Sequence, residues 1–239
     1  MILTLQPQSL KRSLRDFFHN LKAPRPTPSA FCQARKKLKY AVFAELNNVF
    51  TGDFYQSKYV KKWKNYRLLA VDGSIIRVPN KPHNKEYFGS LRKFQEDNNP
   101  SARASLLYDV CNDIVLEGTI APTSKGEIPM AMDHLKHVKK GDLILFDRGY
   151  SSYVLMNSII SRDADFCFRI PVKTWNFAQE LVDSNEDDRI VFIKAGRDTK
   201  TKEQCQEYSL DMDILVLRAV KIKLPDGYLG GSTDHLKGP

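Results

Sequence analysis

Residues 143–150 read "LILFDRGY". Four apolar residues run straight into Asp147, and Arg148, Gly149 and Tyr150 follow. The run has the look of a buried strand whose exit carries a charge. A second stretch has the same form: "LLAVDGSIIRV", residues 68–78, embeds Asp72 in a β-branched, apolar run. An unpaired carboxylate in apolar surroundings is costly, so each aspartate needs a partner, a metal or an exit to solvent.

The chain between and beyond these stretches alternates strands and helices. "ASLLYDV" (104–110) and "IVLEGTIA" (114–121) read as strands joined by a turn at Cys111, Asn112 and Asp113. "EIPMAMDHLKHV" (127–138) has the spacing of a helix through Ile128, Met132, Leu135 and Val138. After the strand ending at Asp147, "SSYVLMNSII" (151–160) reads as a helix opened by serine, and "DFCFRIP" (165–171) as another strand. The order strand, hairpin pair, helix, strand, helix, strand predicts a mixed sheet with crossover helices, the order of an RNase H-like core. In that order the strands of Asp72 and Asp147 lie side by side, about 4.8 Å apart, and both carboxylates can reach one hard divalent cation. Such ions activate a water or a 3′-hydroxyl and stabilise the leaving oxygen in phosphodiester chemistry. Gly73 and Gly149 would allow close approach of backbone or substrate. A helix starting near Ser151 would point amide N–H groups at a phosphate. The competing reading is two strand-end aspartates that cap turns or pair with Arg77 and Arg148.

Upstream of the core the chain is basic. Residues 1–67 hold 14 Lys and Arg against 3 Asp and Glu, a net +11, while the remaining 23 and 25 give −2. A basic head on a near-neutral body suggests a polyanion-binding module; a solvated lysine-rich surface is the alternative. Residues 9–21 read as a helix through Leu10, Leu14, Phe17, Phe18 and Leu21. A proline-rich linker, "KAPRPTPS" (22–29), ends at Ser29 as a helix cap. A second helix over about 30–50 would use Phe31, Leu38, Phe43, Leu46 and Phe50, with a break near Tyr40, and Arg35, Lys36, Lys37 and Lys39 as a basic flank. In "SKYVKKWKNYR" (57–67), Lys61, Lys62, Lys64 and Arg67 alternate with aromatics. Lysines neutralise phosphates and aromatics stack on bases, or the aromatics are packing anchors. Downstream, "RIVFIKA" (189–195) and "ILVLRAVKIKLPDG" (214–227) read as strands after a possible short helix and the acidic loop "ELVDSNEDD".

Other classes lack signals. No apolar run approaches the roughly 20 residues of a membrane helix. The N-terminus lacks the order of a signal peptide. Four separated cysteines without a C-x-x-C pair point to reduced thiols in a cytosolic protein. His134 and His137 are a weak metal pair without further ligands. No P-loop, dinucleotide fingerprint or G-x-S-x-G motif is present.

The ordered set "FCQARKKL", "AVDGS", "LILFDRGY" and "RAVKIKLPDG" resembles bacterial insertion-sequence transposases of the DDE class, most of all the IS-four group. The resemblance covers about residues 10–227 and implies an α/β protein with an RNase H-like mixed sheet. It divides the chain into a basic helical DNA-contacting region (1–65), a catalytic core (66–171), a β-rich insertion (172–227) and a non-homologous tail (228–239). It implies that Asp72 and Asp147 are catalytic, metal-binding acids using Mg²⁺ or Mn²⁺, with Arg148 in the DNA-contacting set. The implied partners are double-stranded DNA (terminal inverted repeats and target) and a second copy in a synaptic complex; the implied setting is the bacterial cytoplasm, at the nucleoid. In the family a third acid, a glutamate, comes from a helix after the insertion. Here "KIKLPDG" leads to "YLGGSTDHLKGP", and Asp226 and Asp234 are the nearest carboxylates. The expectation is a truncated copy without the third acid, binding metal weakly and not transposing. The rivals are a non-catalytic DNA-binding fragment that recognises element ends and a metal-dependent nuclease on the same core.

Overall fold

The computed structural model describes residues 9–89 and 99–222. The expected tail at 228–239, with Asp226 and Asp234, lies outside the described residues. The chain divides into two compact units between Tyr59 and Val60. Lys61, Lys62, Lys64 and Arg67 therefore belong to the second unit.

The first unit is helical. α1 spans Leu10–Asn20 and buries Ser13 and Leu14. The next helix starts earlier than expected: α2 is Pro28–Lys36, and its cap is Thr27, not Ser29. Thr27 Oγ1 accepts the Ala30 N–H at 3.1 Å, and Pro28 at the first helical position gives up only an N–H that would go unbonded. The break near Tyr40 separates α2 from α3, Ala41–Gln56. α2 and α3 bury none of their residues, so the apolar side expected there is not a closed core.

The second unit opens on a tight reversal. Lys64 and Asn65 have φ of 46° and 72°, the left-handed pair of a two-residue hairpin turn. Trp63 and Tyr66 exchange backbone hydrogen bonds of 3.0 and 2.8 Å across it. The turn feeds β1, Arg67–Arg77. α4 (Pro82–Phe88), unmarked by any apolar period in the sequence, follows, with Pro in its first turn. β2 (Ser101–Asp109) and β3 (Ile114–Pro122) form the expected hairpin. The buried Asp109 ties its turn, accepting the Cys111 and Asn112 N–H groups at 3.1 Å each.

The predicted helix over 127–138 is α5, Glu127–His134, and then a 3-10 turn to His137. β4 (Asp142–Phe146) leads into a 3-10 turn, Arg148–Tyr150, before α6 (Tyr153–Ile160). β5 is Asp165–Phe168. The sheet order is β3-β2-β1-β4-β5. β1 runs antiparallel to β2 and parallel to β4, and β4 is parallel to β5. This is the mixed RNase H-like order expected. Alternate residues of the central strands (Leu69, Val71, Ile144, Phe146) are buried, and α5 and α6 contribute Met130, Leu155, Met156 and Ile159 to the core.

α7 (Asn176–Asp183), β6 (Asp188–Ile193), α8 (Thr199–Glu207) and β7 (Leu215–Val220) complete the described chain. β6 and β7 pair with each other in a separate two-stranded sheet. α8 is a helix the sequence pattern does not announce; Asp198 caps it by accepting the Thr201 N–H at 2.9 Å. Tyr153 and Asn157 of α6 donate to the Asp213 and Asp211 carbonyls at 2.6 Å each, holding the segment before β7 against the core.

One expected DNA contact is corrected by the fold. Arg67 is 7% exposed. Its guanidinium grips the buried Asp142 with two hydrogen bonds of 2.8 and 2.6 Å and reaches the His137 carbonyl at 2.8 Å. An arginine committed to a buried carboxylate is not available to a phosphate, because leaving it would strand Asp142 in the interior.

Candidate active site

The parallel register of β1 and β4 pairs Val71 with Phe146. Asp72 and Asp147 each come one residue later, Asp72 still within β1 and Asp147 one residue past the end of β4. Continuing the alternation of both strands places them on one face, away from the buried Val71 and Phe146. Both are exposed. β1 continues past Asp72, paired to Leu106 of β2, whereas the chain leaves the sheet at Asp147, whose carbonyl accepts the Tyr150 N–H at 3.1 Å. The carboxylates thus sit where β4 ends and β1 goes on. Exposure answers how an apolar strand tolerates each charge.

Asp72 Oδ1 accepts the Gly73 N–H at 2.8 Å. Asp147 pairs with Arg169 at 3.2 Å, and Arg169 stands just past the end of β5. Arg148 is half-buried in the turn after Asp147. Of the remaining expected DNA contacts, Arg35, Lys36, Lys37 and Lys39 are exposed around the C-terminal end of α2. Lys61, Lys62 and Lys64 are exposed around the reversal that precedes β1. Lys64 lies over the Trp63 ring, 5.0 Å from its centroid, so this aromatic already has a cationic partner.

Three more side chains belong to the site. Glu127, the first residue of α5, pairs with Arg103 of β2 at 2.5 Å. A Cβ added to Gly73 would lie 3.6 Å from the Glu127 Cγ and 3.0 Å from the Tyr150 hydroxyl. A Cβ added to Gly149 would lie 3.0 Å from the Glu127 Oε2. A side chain at either position would require the Tyr150 hydroxyl or the Glu127 carboxylate to shift by a few tenths of an ångström. Tyr150 is 2% exposed and its hydroxyl has no hydrogen-bond partner among the described residues. Burial, and then the Glu127 and Asp72 carboxylates, push its phenol well above the ordinary range against the opposing Arg103, so it stays protonated. Nothing in the sequence marks Glu127, Arg103 or Arg169: each is a charged residue in a plausible element, and only the pairing of strands and α5 gathers them.

The α helix expected near Ser151 begins instead at Tyr153, since the 3-10 turn takes up the residues after Asp147. The histidine pair is structural. His134 is fully buried, with Nε2 3.0 Å from Ser105 Oγ and Nδ1 2.8 Å from Glu117 Oε2, so both ring nitrogens are taken.

Among the described residues no three His, Cys, Asp or Glu side chains form a metal-holding group. Asp72 and Asp147 are a pair of hard oxygen donors. That pair suits Mg²⁺ or Mn²⁺ of the kind held by one or two carboxylates with waters and substrate phosphates, rather than an all-protein cage. The exposure of both carboxylates fits that mode.

A family profile described as "Transposase DDE domain" matches residues 63–216. The chain belongs to this transposase family. The match starts at the reversal before β1 and ends within β7, so it takes in both candidate acids. InsZ of Escherichia coli (strain K12) is 28% identical over 159 residues, covering 65% of this chain and 52% of that protein. The transposase InsG of insertion sequence element IS4, from the same organism, is 21% identical over 182 residues, covering 75% of this chain and 41% of that protein. The transposase-family chain thus spans about half the length of the curated relatives it matches. A solved piggyBac transposase synaptic complex with hairpin DNA aligns at a TM-score of 0.34 and 11% identity, covering 60% of this chain and 37% of that one. A likeness of that size carries no weight for the fold or the site.

Proposed function

We propose that this chain carries the catalytic acids of an insertion-sequence DDE transposase, Asp72 and Asp147, for cut-and-paste DNA transposition by phosphoryl transfer. The observation that supports the reading most is the register: the exposed Asp72 and Asp147 each follow directly on the last paired residues of β1 and β4, Val71 and Phe146, inside the matched region. Asp72 and Asp147 would hold Mg²⁺ or Mn²⁺. The ion supplies activation of the attacking oxygen and neutralisation of the leaving one. The protein's share is to place two carboxylates at the end of β4, with Arg169 close enough to share Asp147 with the cation.

Double-stranded DNA is the substrate of this reading, with terminal inverted repeats and a target site, and two copies join the ends in a synaptic complex. Arg35, Lys36, Lys37 and Lys39, then Lys61, Lys62 and Lys64, supply exposed charge for phosphates, and Arg148 contacts DNA beside Asp147. No described helix is long and apolar enough to cross a membrane. The expected setting is the bacterial cytoplasm, at the nucleoid.

The test is cleavage and strand transfer on a duplex bearing the element's terminal repeats, with Mg²⁺ or Mn²⁺. Activity lost in Asp72→Asn and in Asp147→Asn supports the reading. A second reading is binding of element ends without chemistry, and the exposed basic residues around the end of α2 and at the reversal before β1 support it. Salt-dependent binding to the terminal repeats, far tighter than to random duplex and without cleavage, would decide for it. Metal-dependent cutting of any duplex would instead point to a general nuclease.

A further inference from the structure

We infer that Glu127 is a positioning residue of the Asp72–Asp147 cation site, acting through the two glycines beside those acids. The inference rests on the reading of that pair as a metal site. Glu127 reaches both acid-bearing segments at once. Its Cγ lies 3.6 Å from where a Gly73 Cβ would be, and its Oε2 lies 3.0 Å from where a Gly149 Cβ would be. Gly73 follows Asp72 in β1, and Gly149 is two residues past Asp147 in the turn that leaves β4. Arg103 of β2 fixes the other carboxylate oxygen at 2.5 Å. Arg103 pairs with Ile75 in the antiparallel register, so it belongs to the strand that flanks Asp72.

β1, β2, α5 and the turn after β4 therefore meet at one carboxylate. The arrangement matters because β4 stops at Phe146 and offers no ladder to hold Asp147. Past that last strand pair, Asp147 is held by Arg169 and by the packing of its turn, and Glu127 packs between that turn and β1. The Tyr150 hydroxyl, 3.0 Å from the Gly73 Cβ position, fills the same space and makes no hydrogen bond among the described residues. Glu127 is the polar group there with a fixed partner. Partners that hold ligands in place, without touching the metal, typically change metal affinity 10–100-fold when replaced.

The experiment is Mn²⁺ binding to the full chain followed by electron paramagnetic resonance, with thermal melting in EDTA on the same samples. Asp147→Ala tests the metal site itself, and Glu127→Gln, Glu127→Ala and Arg103→Gln test the positioning role. Expected is loss of Mn²⁺ binding in Asp147→Ala, and affinity about 10-fold weaker in Glu127→Gln and Arg103→Gln and up to about 100-fold weaker in Glu127→Ala. A merely structural Glu127 would lower the melting temperature in EDTA and leave the Mn²⁺ affinity of the folded protein at the wild-type value, which overturns the inference while the metal site stands. Glu127→Gln as deficient as Asp147→Ala would make Glu127 a ligand and also overturn it. Wild-type protein that binds no Mn²⁺, or Asp147→Ala that binds it as wild type does, would remove the metal site and the inference together. Arg103→Gln retains Glu127 but removes the partner that fixes its carboxylate, so it reads the positioning role even where Glu127→Ala does not fold.

Discussion

Arg67 and Asp142 meet at the entry to β1 and β4, both inside the protein, and each depends on the other for its charge. The Lys139 N–H adds a 2.8 Å hydrogen bond to the same carboxylate. Removing one partner leaves a buried charge without this ion pair, which typically costs about 3–5 kcal/mol. Arg67→Ala and Asp142→Ala should each lower the urea midpoint accordingly with little change in slope, while Arg67→Ala with Asp142→Ala should cost less than the two added. Tyr150 poses the opposite case. Its hydroxyl is buried and unbonded among the described residues, and a polar group left so costs stability. Tyr150→Phe should therefore leave the melting temperature unchanged or raise it by the equivalent of about 1 kcal/mol. A clear drop would show that the hydroxyl has a partner in solution.

α5 is the element that carries Glu127 to the site, and its other end is held by a polar cluster. His134 bridges Ser105 of β2 and Glu117 of β3, and Lys136 and His137 close on Glu117 at 2.5 and 3.5 Å. Burial holds His137 below its ordinary value, against the pull of Glu117. For Glu117 burial works upward, but hydrogen bonds from Lys136 and His134 outweigh it and leave the carboxyl low. Both groups thus bind protons less readily in the folded chain than in the unfolded one. Their stabilisation is complete above about pH 6.5, the ordinary histidine value. The His137 share is lost as pH falls below that, and the Glu117 share below its own ordinary value of 4.5. Melting temperature should fall between pH 7.5 and 5.5, and His137→Gln should flatten that part of the curve. An unchanged slope in His137→Gln would place the acid sensitivity elsewhere.

For the molecule as a whole, the useful division is between a helical first unit and the unit that holds the acids. The basic residues split across it, four around the end of α2 and three at the reversal before β1. Replacing Arg35, Lys36, Lys37 and Lys39 by glutamine in the full chain should weaken binding to any duplex. It should also reduce the dependence of log affinity on log salt by about 0.9 for each phosphate no longer neutralised. The same change with an unaltered salt slope would mark these side chains as solvated surface. Asp72 and Asp147 variants should leave that slope nearly intact, because they act on chemistry rather than on the phosphate backbone.

The sequence by itself determined the alternation of strands and helices in the core and the place of β1 beside β4, the strands that lead to Asp72 and Asp147. Those features rest on local periodicity and on connection rules that act along the chain. It left α4 and α8 unseen, because short polar helices show little apolar period, and their starts rest on one proline and one capping aspartate. It also placed Arg67 among the DNA contacts, because a basic residue in a basic run looks exposed until its partner is known. Asp142 lies 75 residues away in the chain, and only the parallel register brings the two together. Glu127, Arg103 and Arg169 came to the site in the same way. Charged side chains are drawn together by tertiary contact across distant strands, and no short-range pattern records which of them will meet.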